Sequence, residues 1–329
     1  MNTERSRTLS NIKLLPCGHS IGMKLLRKEF KIFDLLPVMK ANGIYYYPAR
    51  EWGLKVNDHI LEVEGKSISS EQELHRLINE AALKKEEIDL QISRHGHTLN
   101  KKVKPYLNLH TKDYRLGVRI KALDDGLGTL TFYDPLTQKF GALGHPLCRI
   151  PQEPLSKNTI VLSNVSSIRK GNPDTPGKKL GYLNKFNDFT GILELNTEVG
   201  IFGKIRGEVS SPFFDSLLPI GSKESIKRSQ ASIYTVVKDN QIEEFKISIY
   251  GVIPQITGNM DLKIVIEDET LLRHTGGIVC GMSGSPIVQD GKLIGAVSYL
   301  STSNSSIGYG VSLENMLEVS GLIESLGNR

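Results

Sequence analysis

From Gly128 to Leu300 the chain is a succession of short apolar runs, each cut off by Gly, Asn, Asp or Pro. Gly128-Thr129-Leu130-Thr131-Phe132-Tyr133, Thr159-Ile160-Val161-Leu162 and Gly191-Ile192-Leu193-Glu194-Leu195-Asn196 are examples. Ala231 to Val237 and Leu262 to Ile266 continue the pattern. Strands this short and this frequent indicate an all-β barrel or sandwich. The fold class expected is mainly β with minor α. A helix is expected late, from Leu313, where Leu313, Met316, Leu317 and Val319 share a face.

The 329 residues leave room for one large or two ordinary domains. Before Pro105 the composition differs. Phe30 to Leu36 reads as a strand, Pro48 to Leu54 as one helical turn ended by Gly53, and Asp58 to Ile68 as a strand pair. Ser70 and Glu73 form a capping box, after which Leu74, Leu77, Ile78 and Ala81 recur at helical spacing. Ile88 to Arg94 alternates as a closing strand. The boundaries read from this are an extension at 1–12, a first domain at 13–105 and a second at 106–329.

Composition excludes several functions. The net charge of +5 is spread along the chain rather than gathered into a basic stripe with aromatics, so no nucleic-acid partner is expected. Cys17, Cys148 and Cys280 lack metal-ligand spacing and are odd in number, which argues against zinc and against a disulfide framework. No metal or cofactor is expected. The sequence has no apolar stretch of about 18 residues and no signal-type apolar segment near its start, so on this reading it is soluble and carries no export signal.

The chemistry concentrates at Gly281-Met282-Ser283-Gly284-Ser285-Pro286. A nucleophilic serine needs a tight turn and free backbone N–H groups nearby, and flanking glycines supply both. Without a partner the pattern is equally that of a hairpin loop. Ser283 is the favoured nucleophile, since Pro286 restricts the backbone of its rival Ser285. Of eight histidines, His145 stands apart, ending an apolar run between Gly144 and Pro146. His274, closer in sequence, has helix-like surroundings. For an acid, Asp268 ends a strand before the loop, although an Asp there also suits a helix N-cap. Asp124, Asp125 and Asp134 compete with it.

Two resemblances add to this reading. Ala49 to Lys66, A-R-E-W-G-L-K-V-N-D-H-I-L-E-V-E-G-K, resembles a PDZ domain, with Asn57 where the family usually has Gly. Asn tolerates the left-handed backbone such a turn needs. The resemblance implies a groove that holds a peptide C-terminus or internal peptide by β-augmentation. It places the carboxylate loop on Gly18-His19-Ser20-Ile21-Gly22, with the helix at 70–82 as the other wall.

The second resemblance rests on R-L-G-V-R-I and G-L-G-T-L-T-F-Y-D-P-L-T-Q-K-F-G-A-L-G-H within 115–145. It also rests on L-N-T-E-V-G-I-F-G at 195–203, T-G-G-I-V-C-G-M-S-G-S-P at 275–286 and G-Y-G-V-S-L-E-N-M-L at 308–317. These are similar to the SpoIVB peptidase family. The resemblance implies a serine endopeptidase with a chymotrypsin-like double β-barrel after the PDZ domain. It puts the nucleophile on Ser283, the base on His145, the acid on Asp268 and the oxyanion donors on the N–H groups of Gly281 and Ser283. It implies action outside the cytoplasm, between the two membranes around a developing spore, on a regulatory membrane protein of a sporulation checkpoint. The sequence departs from the family after His145, at 146–151, and begins without the family's N-terminal membrane segment, as a truncated or a divergent member would. That altered loop supports a competing reading, a peptide-binding scaffold with the protease fold and no turnover. A quality-control protease of the HtrA group would carry its PDZ domain after the catalytic one.

Overall fold

The computed structural model describes residues 11–24, 30–39, 43–68, 70–94, 97–109, 111–122, 127–147, 158–171, 176–184, 189–253, 260–301 and 304–327. Two compact units emerge. The larger takes Met1–Lys24, Asp125–Leu147 and Pro154–Arg329, and the smaller takes Leu25–Asp124 and Cys148–Glu153. The chain therefore starts in the larger unit, leaves it, and returns.

Its first strands, β1 (Lys13–Pro16) and β2 (Ser20–Lys24), belong to the larger unit. The smaller unit then follows with β3 (Phe30–Leu35), β4 (Val38–Met39), β5 (Tyr45–Tyr46), α1 (Pro48–Glu51), β6 (His59–Val63) and β7 (Lys66–Ser67). It continues through α2 (Glu71–Ala82), β8 (Ile88–Arg94), β9 (His97–Val103), β10 (Tyr106–Asn108), β11 (Asp113–Arg115) and β12 (Val118–Ala122). Its main sheet runs β12-β3-β6-β8-β9, with β7 beside β6. Alternation sends Phe30, Ile32, Ile60, Ile88, Leu90 and Ile92 to one core, where Leu74, Leu77, Ile78 and Ala81 of α2 meet them. The helix begins where the sequence marks it: Ser70 accepts the Glu73 N–H at 3.0 Å. Asn57 takes the left-handed backbone, φ +75°.

Back in the larger unit come β13 (Leu127–Asp134), β14 (Lys139–Ala142), β15 (Thr159–Arg169), β16 (Lys178–Leu183), β17 (Thr190–Thr197), β18 (Gly200–Arg206) and β19 (Leu218–Pro219). Six antiparallel pairings, β2–β13, β13–β14, β14–β18, β18–β17, β17–β15 and β15–β2, close a ring. Ile21, Leu130, Phe140, Ile160, Leu193 and Ile205 are fully buried. The remaining strands are β20 (Gln230–Lys238), β21 (Gln241–Val252), β22 (Leu262–Ile266), β23 (Pro286–Gln289), β24 (Lys292–Leu300) and β25 (Ile307–Ser312), with α3 (Glu269–Thr275), α4 (Leu313–Val319) and α5 (Leu322–Gly327). They form a second closed barrel, β20-β21-β22-β25-β24-β23, around Ile233, Phe245, Ile247, Ile264, Ile287 and Val297. Two six-stranded antiparallel barrels make a chymotrypsin-like fold.

The expected domain boundaries are corrected in two places. Residues 13–24 are not part of the first domain, because β2 is hydrogen-bonded on both sides into the first barrel: Ile21 lies opposite Gly128 on β13 and opposite Leu162 on β15. The smaller unit also continues beyond 105, since β12 pairs with β3. It is an insertion between the first and second strands of a barrel.

A buried ion pair holds the smaller unit. Asp58 is 1% exposed; its oxygens accept from Arg94 Nε and Nη2 at 2.7 Å and from the Lys55 N–H at 2.8 Å. Arg94 also donates to Gly53 O. Removing one partner leaves the other charge uncompensated, which costs about 3 kcal/mol. Trp52, the chain's single tryptophan, sits next to that carbonyl. Asp58→Ala should lower the urea midpoint reported by Trp52 fluorescence, and Asp58→Asn should lower it less. An unchanged midpoint in Asp58→Ala would show that the pair contributes nothing.

Candidate active site

The loop between α3 and β23 is shaped by its glycines. Gly281 and Gly284 have φ of +102° and +95°, and a Cβ on Gly284 would lie 2.0 Å from Thr129 O. An L side chain is strained at such angles. The first barrel grips this loop through β13. The Thr129 N–H donates to Ser283 O (2.9 Å), Thr129 Oγ1 to Gly281 O (2.8 Å) and Thr131 Oγ1 to Gly284 O (2.7 Å).

The N–H groups of Cys280, Met282, Gly284 and Ser285 donate to Gly177 O, Val279 O, Val297 O and Met282 O. Those of Gly281 and Ser283 donate to no group among the described residues. These two are the pair named from the sequence as oxyanion donors. Ser285 is fully buried, and its hydroxyl donates to Met282 O at 2.6 Å, closing the turn. Ser283 is half-buried, and its Oγ donates to Ser298 O at 2.8 Å.

His145 follows β14 after Leu143 and Gly144, both left-handed. Its Nδ1 lies 2.8 Å from Pro146 O. A carbonyl can only accept, so Nδ1 carries the proton and Nε2 keeps the lone pair. Burial pushes the His145 pKa below its ordinary 6.5, opposed by the Pro146 carbonyl. The Leu147 N–H donates to Asn196 Oδ1 at 2.9 Å, tying the segment after the histidine to the end of β17.

Ser283 and His145 converge on the end of β24. Ser298 accepts the Ser283 hydroxyl, and its own Oγ donates to Gly144 O at 2.6 Å. The next residue, Tyr299, packs its ring 5.0 Å from the His145 ring, centroid to centroid. Ser298 and Asn196 were not legible as site residues, since nothing in their own neighbourhoods marks them.

Asp268 stands elsewhere in the chemistry. Its Oδ1 accepts from the Thr270 and Leu271 N–H groups at 2.9 and 3.0 Å, and its Oδ2 lies 3.4 Å from the Lys246 N–H. It is the N-cap of α3, and no hydrogen bond joins it to His145. In place of the histidine contact expected of an orienting acid, three backbone donors occupy its carboxylate. Asp134 is likewise committed to a turn, accepting from the Leu136 and Thr137 N–H groups. Asp124, Asp125 and 148–151 lie outside the described residues. Among the described residues no group of three or more His, Cys, Asp or Glu side chains could hold a metal ion.

The peptide-groove expectation is also corrected. Gly18, His19, Ser20, Ile21 and Gly22 enter and form β2 of the first barrel, paired with β13 and β15. In the smaller unit, α2 instead faces a cavity of about 180 Å³ lined by Leu74, His75, Ile78, Arg115, Leu116 and Val118, among others. Its far wall includes β12, the edge strand of the sheet. Burial, with Arg115 next, lowers the His75 pKa.

The profile of the family described as "SpoIVB peptidase S55" matches residues 112–317, and that of the PDZ domain matches 38–104. No curated protein sequence matches the chain. Among solved structures, the active form of the Rv3671c protease from M. tuberculosis is 13% identical, covering 62% of this chain and 74% of its own, at a TM-score of 0.34. Human heparin binding protein is 12% identical over 60% of this chain and 85% of its own, at 0.34. A kallikrein-related peptidase 10 complex with Zn2+ is 12% identical over 59% and 91%, at 0.31. With its family profile matching well over half of its residues, the chain belongs to the SpoIVB peptidase S55 family and is a serine peptidase that carries a PDZ domain.

Proposed function

We propose that this peptidase cleaves peptide bonds with Ser283 as nucleophile and His145 as base. The observation that carries this reading is the alternation of N–H groups in the loop, which leaves those of Gly281 and Ser283 open on either side of Met282. The Ser283 hydroxyl would turn from Ser298 O to His145 Nε2 and attack the scissile carbonyl as its proton passes to the imidazole. The new oxyanion would be held by the two open N–H groups, and the imidazolium would then protonate the leaving amine. Pro146 O orients the imidazole in this scheme, and Asp268 acts through the cap of α3, the helix that leads into the nucleophile loop.

The substrate we propose is a regulatory, membrane-associated protein in sporulation signalling, cleaved outside the cytoplasm. The family assignment supports this; no helix among the described residues is long and apolar enough to cross a membrane. The groove between α2 and β12 would take an extended segment of a partner, added as a strand at the open edge.

A fluorophosphonate probe tests the nucleophile. Wild type and Ser285→Ala should be labelled, and Ser283→Ala should not. A folded wild type that resists labelling would favour the competing scaffold reading, to which the seating of the Ser283 hydroxyl on Ser298 O lends support.

Asp268 gives a separate test. Asn caps a helix as well as Asp does, whereas Ala loses about 1 kcal/mol. Asp268→Asn should therefore keep turnover within a few-fold, and Asp268→Ala should lower the melting temperature. If the carboxylate oriented His145, Asp268→Asn would instead cost about 10⁴ in kcat.

The pH profile follows from the buried base. His145 must be neutral to accept the proton, and burial favours its neutral form. On acidification kcat/KM should therefore persist through 6.5 and fall at a lower pH, measured with a neutral peptide substrate. A midpoint above 6.5 would contradict the geometry, because it would require a carboxylate beside the ring.

A further inference from the structure

Lys179, on β16, is 0% exposed. Its Nζ donates to Thr235 Oγ1 on β20 at 2.8 Å. Burial alone displaces its pKa, down to about 7, with no carboxylate contributing. A lysine is almost never fully buried without a charged partner, and an apolar side chain of the same length would fill the space at lower cost. The amine therefore calls for a reason beyond packing.

Its position supplies one. A Cβ on Gly281 would lie 3.0 Å from Lys179 Cβ and Cδ and 3.1 Å from Cγ, so the lysine stem runs along the back of that glycine. The backbones are joined as well: the Lys179 N–H donates to Cys280 O at 2.9 Å, and the Cys280 N–H donates to Gly177 O at 2.8 Å. Thr129 holds the Gly281 carbonyl from the first barrel. The glycine whose N–H donates to no described group is fixed between β13 and β16, with the amine buried behind it. Charges interact more strongly in a protein interior than in water, and a preorganised one needs no reorganisation as the reaction proceeds.

We propose that Lys179 is a positioning residue of the oxyanion site, fixing Gly281 with its stem and countering the negative charge of the tetrahedral intermediate with its ammonium. It touches no substrate atom, and the role rests on Ser283 being the nucleophile. Charge that exists only in the intermediate should be felt in kcat and hardly in KM.

The test compares wild type, Lys179→Met and Lys179→Gln in three measurements: melting temperature, turnover of a peptide ester, and affinity for a peptidyl boronic acid. Ser283 Oγ bonds to the boron, its proton passes to His145, and the boron becomes tetrahedral and anionic. Lys179→Met should melt no lower than wild type, keep KM, and lose roughly tenfold in kcat and in boronate affinity; a direct oxyanion donor is worth about 100-fold or more. Lys179→Gln, which removes the charge but keeps a polar hydrogen-bond donor, should show the same losses and covers the case in which the Met variant does not fold. Wild-type kcat and boronate affinity in either folded variant would overturn the proposal. Failure of wild type to react with a fluorophosphonate would instead defeat the nucleophile assignment.

Discussion

Everything at the site hangs on β13 holding the nucleophile loop. Three buried hydrogen bonds, from Thr129 N–H, Thr129 Oγ1 and Thr131 Oγ1, satisfy the carbonyls of Ser283, Gly281 and Gly284. Each adds only about 1 kcal/mol net, but an unpaired buried carbonyl would cost about 1–3 kcal/mol, so the loop has little choice of path. The N–H groups of Gly281 and Ser283 share peptide units with the Cys280 and Met282 carbonyls, which accept from Lys179 and Ser285, and among the described residues these two N–H groups donate to no group. The path of the Ser283 loop is thus set by a strand of the other barrel, against which Gly284 has no room for a side chain: a Cβ would lie 2.0 Å from Thr129 O.

That strand depends in turn on residues far away in sequence. The first barrel closes only because β2 fills the space between β13 and β15, and roughly a hundred residues of the smaller unit separate β2 from β13. An insertion of this kind is thermodynamically mild, since closure entropy grows by only about 0.6 kcal/mol per doubling of loop length. A chain shortened to begin at Phe30 would keep every motif of the peptidase and lose a barrel strand. The short opening segment is therefore structural in the larger unit, despite lying next to the PDZ domain in sequence.

Local signals were legible where one element carries them. Ser70 and Glu73 announce α2, the turn after Val63 separates β6 from β7, and the glycines around Ser283 announce a strained loop. Gly18 to Gly22 misled, because an apolar run beside a glycine fits a PDZ loop and a barrel strand alike, and only its pairing partners distinguish them. Asp268 is ambiguous for a related reason. Its N-cap role and a catalytic role need the same residue at the same strand end, and the choice lies in which N–H groups face it. Ser298, Asn196 and Lys179 carry no local mark, since each matters through a neighbour more than 15 residues away or on another strand.

In the proposed reaction, the absence of a hydrogen bond between Asp268 and His145 changes the charge balance. A buried carboxylate beside the histidine would add a negative charge and raise its pKa; the Pro146 carbonyl fixes the same tautomer as a neutral dipole. With a carboxylate, imidazolium and oxyanion, an intermediate carries one net negative charge. Here the imidazolium and oxyanion cancel, and a protonated Lys179 would leave a net positive charge. A weaker base that yields a less stabilised imidazolium slows proton removal, while a cation behind Gly281 favours the oxyanion. The two effects oppose each other, so a site in which no carboxylate among the described residues bonds the histidine has reason to retain a lysine that packing alone would replace.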